Sequence, residues 1–117
     1  MKEWDLKKRT KAFALAILEL ADKIPGNIVD NVIINQLVKC GTSVGANYRA
    51  ACRGKSKADF IAKLGIVEEE IDEAVYWLEI LVDSKKISGS VVEKLIKEAD
   101  EILAIVISSI KTAKEKV

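Results

Sequence analysis

Histidine is absent from this 117-residue chain, and with it the side chain that most often serves as general base or metal ligand near neutral pH. Carboxylates do crowd one stretch, Glu68-Glu69-Glu70 with Asp72 and Glu73. Di-metal bundles, however, combine Glu-x-x-His motifs with Glu from other helices. Here the acids come from a single helix and nothing supplies nitrogen, so we expect no metal and no other cofactor. Ser43 and Cys40 lack an activating base. The Gly41–Gly45 spacing follows no strand, which excludes a phosphate loop. The chain is expected not to be an enzyme, and no small-molecule substrate is evident.

Other shortages narrow the fold. One proline and six glycines are too few for the turns of a sandwich or barrel, and favour long helices with short links. The two cysteines, Cys40 and Cys52, lie on one expected helix about 18 Å apart at 1.5 Å per residue. That is too far for a disulfide, so they read as small buried residues in a reducing cytoplasm. The longest largely apolar run, Ile102 to Ile110, is far short of the ~20 residues that span a membrane. The opening Met1-Lys2-Glu3-Trp4-Asp5 is charged and unlike a secretory leader. A cytoplasmic protein with no membrane partner is the expectation.

What is present is apolar periodicity. Half the residues are hydrophobic and 32% are charged, which suits one domain over residues 1–117. Leu6, Thr10, Phe13, Ile17, Leu20 and Ile24 step by four and three, predicting a helix from Trp4 to Ile24 that Pro25-Gly26 ends. A second helix, capped by Asp30 or Asn31, is predicted to run to Arg53, with Gly54 closing it. Phe60, Leu64, Val67, Ile71, Ala74, Leu78 and Leu81 mark a third helix from a Ser56 cap, with Asp59 as a capping-box-like partner, to Ser84. Val92, Ile96, Ala99, Leu103, Val106 and Ile110 mark a fourth, from a Ser88 or Ser90 cap to Lys114. The fold class is all-α, an antiparallel up-down-up-down four-helix bundle. Helices one and four are apolar over most of their circumference at Phe13–Leu18 and Ile102–Ile107. Surplus apolar surface needs a cover, and self-association supplies one.

Charge is distributed unevenly. Residues 27–57 hold five bases against one acid, net +4, and residues 58–83 hold one base against eight acids, net −7. Such segments can pair within a subunit or between subunits. Arg49 and Arg53 share a face, with Lys55 and Lys57 beyond, a candidate phosphate-contacting patch for RNA or DNA. The alternative is pairing with Glu69, Glu70 or Glu73. Gly41 and Gly45, each costing about 1 kcal/mol inside a helix, permit a close helix approach, and Asn47 and Tyr48 follow them. Asn47 falls at the edge of the apolar stripe, where a buried polar group fixes register. Tyr76 and Trp77 offer contact area with polar handles and read as core rim or interface.

The run Lys39-Cys40-Gly41-Thr42-Ser43-Val44-Gly45-Ala46-Asn47-Tyr48-Arg49-Ala50 resembles the helix-two signature of the bacterial four-helix bundle proteins, the 23S rRNA intervening-sequence proteins. The likeness continues through Arg53, Ser56, Lys57, Phe60, Ile61, Lys63 and Leu64, then Glu70, Asp72, Glu73 and Tyr76-Trp77-Leu78-Glu79-Ile80-Leu81. It implies an antiparallel bundle assembling into a ring-like homopentamer, with no enzymatic activity. A related branch comprises accessory proteins of diversity-generating retroelements, which bind nucleic acid and a reverse transcriptase. That branch is markedly basic and this chain is net +1. A homo-oligomeric scaffold is therefore the first expectation, and an RNA- or DNA-binding accessory protein the second.

Overall fold

Residues 3–116 are described by the structure, a computed structural model. Among them the chain forms four helices: α1 Glu3–Asp22, α2 Ile28–Cys52, α3 Lys57–Asp83 and α4 Gly89–Glu115. They lie side by side in a rod of 50 × 23 × 20 Å. Each helix packs on its sequence neighbours and α1 closes on α4, while the diagonal pairs do not meet. Helices α1 and α2 run antiparallel: Ile17 of α1 meets Gly41 of α2, and Thr10, earlier in α1, meets Gly45, later in α2.

The stripes on α1 and α3 form the core as their spacing predicts. Leu6, Phe13, Ile17, Leu20 and Ile24 are buried, and so are Leu64, Val67, Ile71, Ala74, Leu78 and Leu81. Thr10 is fully buried too, its hydroxyl donating to the Lys7 carbonyl at 3.1 Å, which removes the cost of an unpaired polar group. Phe60, at the α3 entrance, is half-buried.

Three sequence expectations need correction. Helix α1 stops at Asp22, and Ile24 is buried from the link that follows. Helix α2 starts earlier than expected, because Asn27 is its cap: its side chain accepts from the Asp30 amide at 2.8 Å. Asp30 is instead buried, with Lys86 Nζ of the α3–α4 link 3.0 Å from its Oδ1 in an ion pair that lacks hydrogen-bond alignment. On α4 the deepest residues are Val92, Leu95, Ala99, Ile102 and Val106, leaving Ile96, Leu103 and Ile110 half-buried. Adjacent apolar pairs at 95–96 and 102–103 let the helix settle one residue round from the expected stripe.

Two N-caps differ in quality. Ser56 accepts from the Asp59 amide at 3.0 Å. The Asp59 carboxylate in turn accepts from the Lys55 amide at 3.2 Å and from Lys63 Nζ at 2.8 Å. The Lys63 contact, then the Lys55 amide, holds the Asp59 carboxyl below its usual range. Ser88 precedes α4 but makes no capping bond.

Candidate functional site

A close contact between α1 and α2 positions their outer edge. A Cβ on Gly41 would stand 3.0 Å from Ile17 Cγ1, and one on Gly45 would stand 3.2 Å from Thr10 Oγ1. These glycines thus let α1 press onto α2, which brings cations from both helices together. Lys7, Lys11 and Arg49 line one shallow groove of about 220 Å³ whose floor is Ala14, Gly45 and Ala46. No acid lines it. Lys11 and Arg49 are exposed. Sequence reasoning found Arg49 but missed Lys7 and Lys11, whose i, i+4 spacing on α1 was the available signal.

The other cations of the sequence-derived patch disperse. Arg53 is exposed at the C-cap of α2. Lys55 lies in the link beside Asp59. Lys57 turns the other way, donating its amine to the Lys116 carbonyl. Lys57 also borders a cleft of about 630 Å³ at the bundle end between α2, α3 and α4, with Cys52, Phe60, Ser109 and Thr112. Among the described residues, neither Arg49 nor Arg53 forms an ion pair with Glu69, Glu70 or Glu73. Arg9 makes a helix-bridging guanidinium contact, donating to Glu98 of α4 and, at 3.2 Å, to Glu101.

Asn47 satisfies itself within α2, its amide donating to the Ser43 carbonyl at 2.9 Å. Tyr48 is buried. Tyr76 is 55% exposed and meets Trp77 edge-on with ring centroids 5.0 Å apart. Trp77 is half-buried, and its Nε1 is enclosed without a hydrogen-bond partner among the described residues. On α2, burial beside Glu73 and Glu70 pushes the Cys40 thiol up to about 12. Burial next to Glu73 and Glu69 likewise raises the Glu70 carboxyl. Among the described residues no three His, Cys, Asp or Glu side chains converge as a metal site. None of the described helices is long and apolar enough to cross a membrane.

A family model described as 23S rRNA-intervening sequence protein matches residues 2–108. The chain belongs to this family. A solved structure from Bacteroides thetaiotaomicron, described as a protein of unknown function from the S23 ribosomal protein family, is 36% identical. Their TM-score is 0.88, and the match covers 95% of this chain and 99% of that one. No curated protein matches. The 23S rRNA-intervening sequence family match thus spans the α1/α2 groove and most of α4.

Proposed function

We propose that this member of the 23S rRNA-intervening sequence protein family is a non-enzymatic scaffold that assembles with copies of itself in the cytoplasm, as a ring of five on the family resemblance. The observation that carries this reading is uncovered apolar surface on helices whose opposite faces already fill the core. Leu15 is 57% and Leu18 40% exposed on α1, and Ile107 is 48% exposed on α4. Large aliphatic side chains clustered on outer helix faces favour a partner surface. Light-scattering mass at micromolar concentration tests it. A multiple of 12.9 kDa is expected, five for the ring, and a stable single-chain mass would sink it.

A second reading, RNA or DNA binding, has its own support in the groove where Lys7, Lys11 and Arg49 meet, with Arg53 nearby. Phosphate contacts by such cations weaken steeply with salt. This reading expects binding to structured RNA or duplex DNA at about 50 mM salt that falls by orders of magnitude near 200 mM. It also expects binding to vanish in the Arg49→Glu/Arg53→Glu variant.

A further inference from the structure

We propose that the cleft at one end of the bundle, where α2 and α4 finish beside the start of α3, binds a small amphipathic carboxylate, its hydrocarbon body inward and its charge at the rim. The site adds a ligand to the scaffold reading and does not depend on it.

The cleft follows from the order of residues along the helices. On α4 the buried stripe Val92, Leu95, Ala99, Ile102 and Val106 steps by three and four. The same steps continue to Ser109 and Ala113, so two small side chains fall where large aliphatic ones would complete the core. The α2 stripe also ends small, at Ala51. Phe60 of α3 lines the same space and is only half-buried, while Leu64, one turn further on, is fully buried. The result is a cleft of about 630 Å³ between the three helices. That lies within the roughly 300–1,000 Å³ typical of small-molecule sites. A core layer left short of atoms forgoes the dispersion contacts that a filled one makes, and an apolar guest restores them.

The rim specifies the headgroup. Lys57 and Lys116 both border the cleft, and none of its lining residues is an acid. Among the described residues neither lysine forms an ion pair. The Lys57 amine donates to the Lys116 carbonyl, which holds it at the rim. An ammonium has three donors, so two remain for a guest. The exposed hydroxyls of Ser108 and Thr112 stand on the α4 side of the opening. Asp59, the carboxylate in the first turn of α3, is engaged by Lys63 and the Lys55 amide. Cations and hydroxyls without a competing acid fit a carboxylate, and the apolar walls of Ala51, Phe60 and Ala113 fit its hydrocarbon.

Cys52 lines the cleft and therefore reports on it. Iodoacetamide labelling of the full chain is followed with decanoate below its micelle-forming concentration, with decanol and with acetate. Decanoate at about ten times its Kd is expected to slow labelling of Cys52 about tenfold and to raise the melting midpoint. Decanol, with the body and no charge, and acetate, with the charge and almost no body, are expected to do far less. Absence of protection by decanoate overturns the site, and equal protection by decanol overturns the carboxylate assignment. Light-scattering mass should be the same with and without decanoate; protection that tracks a change of mass overturns the site as well. Ser109→Leu fills the unfinished layer, and should keep the helical circular dichroism while losing the rise in melting midpoint with decanoate. Lys57→Gln/Lys116→Gln should reduce the decanoate response to that of decanol. A full response in either variant overturns the proposal. Should Ser109→Leu fail to fold, Ala113→Leu replaces it with the same expectation.

Discussion

Two helix-interior glycine settings in this bundle look alike in sequence and differ in three dimensions. Gly41 and Gly45 are closed over by α1, with Ile17 and Thr10 standing where a methyl group would need to go. Gly65 opens onto empty space on the outer side of α3. The first pair is explained by the fold of one chain. The second is not. A glycine inside a helix marks a close approach; whether the chain itself supplies the approaching atoms separates packing from interaction surface.

The largest expected effect comes from filling the closed seam. Gly41→Val adds an isopropyl group against Ile17, which is fully buried and has nowhere to move. Overpacking of this kind costs about 1–3 kcal/mol and occasionally more, and a β-branched residue recovers little helix propensity. We expect a loss of about 2–3 kcal/mol in denaturant unfolding, within that range. An unchanged midpoint would mean that α1 does not press on α2 there.

Next comes the α2–α3 side of the same helix, where Cys40 is fully buried. A thiol held at about 12 stays protonated in the folded chain and ionises near its ordinary value of 9.0 in the unfolded one. The folded pKa of an acid is raised, so its contribution is fully present below pH 9 and is lost as pH climbs from 9 towards 12. The slope from this one group reaches at most about 1.4 kcal/mol per pH unit. Urea unfolding between pH 8 and pH 10.5 should show the decline, and Cys40→Ala should flatten it. Alkylation of the native protein at pH 8 should also fall on the half-buried Cys52, sparing Cys40.

Gly45→Ala should cost less than Gly41→Val. Its new methyl would meet Thr10 Oγ1 at 3.2 Å and the Thr10 carbonyl carbon at 3.4 Å. A clash costing about 1–3 kcal/mol is offset by about 1 kcal/mol of helix propensity, leaving roughly 1 kcal/mol of net loss. Thr10→Ala in the same chain should recover part of it, since the nearest atom is then gone. A double-mutant cycle reads this coupling, and strict additivity would show that the two residues do not touch.

The seam was largely legible in the sequence and the outer face only partly so. Step patterns of four and three located the core of α1 and α3, including the polar Thr10, because the stripe runs through each helix without a break in its spacing. On α4, Leu95-Ile96 and Ile102-Leu103 offer two neighbouring apolar choices, and only packing against α3 and α1 selects Leu95 and Ile102. The α2 cap was hidden for a similar reason. Ile28 and Val29 are apolar yet 85% and 59% exposed, so the periodic signal does not point to Asn27. Asp30 looks like a cap, but its partner is Lys86, far along the chain. Arg49 stood out as a cation, whereas its grouping with Lys7 and Lys11 depends on which face of α1 meets α2. That is a tertiary fact; the i, i+4 spacing of Lys7 and Lys11 shows locally only that these two share a face.

The smallest effect should have the opposite sign. Gly65→Ala places a methyl in open space, so it removes backbone freedom from the unfolded chain without creating a clash. Dilute single chains should gain up to about 1 kcal/mol, the difference in helix propensity between the two residues. At concentrations where copies associate, the assembled mass shows whether a neighbour uses that open space. Stabilisation together with weakened association would assign Gly65 to an interface. Stabilisation with unchanged association would leave the glycine without a role on that face, and the comparison with Gly41 and Gly45 would reduce to packing alone.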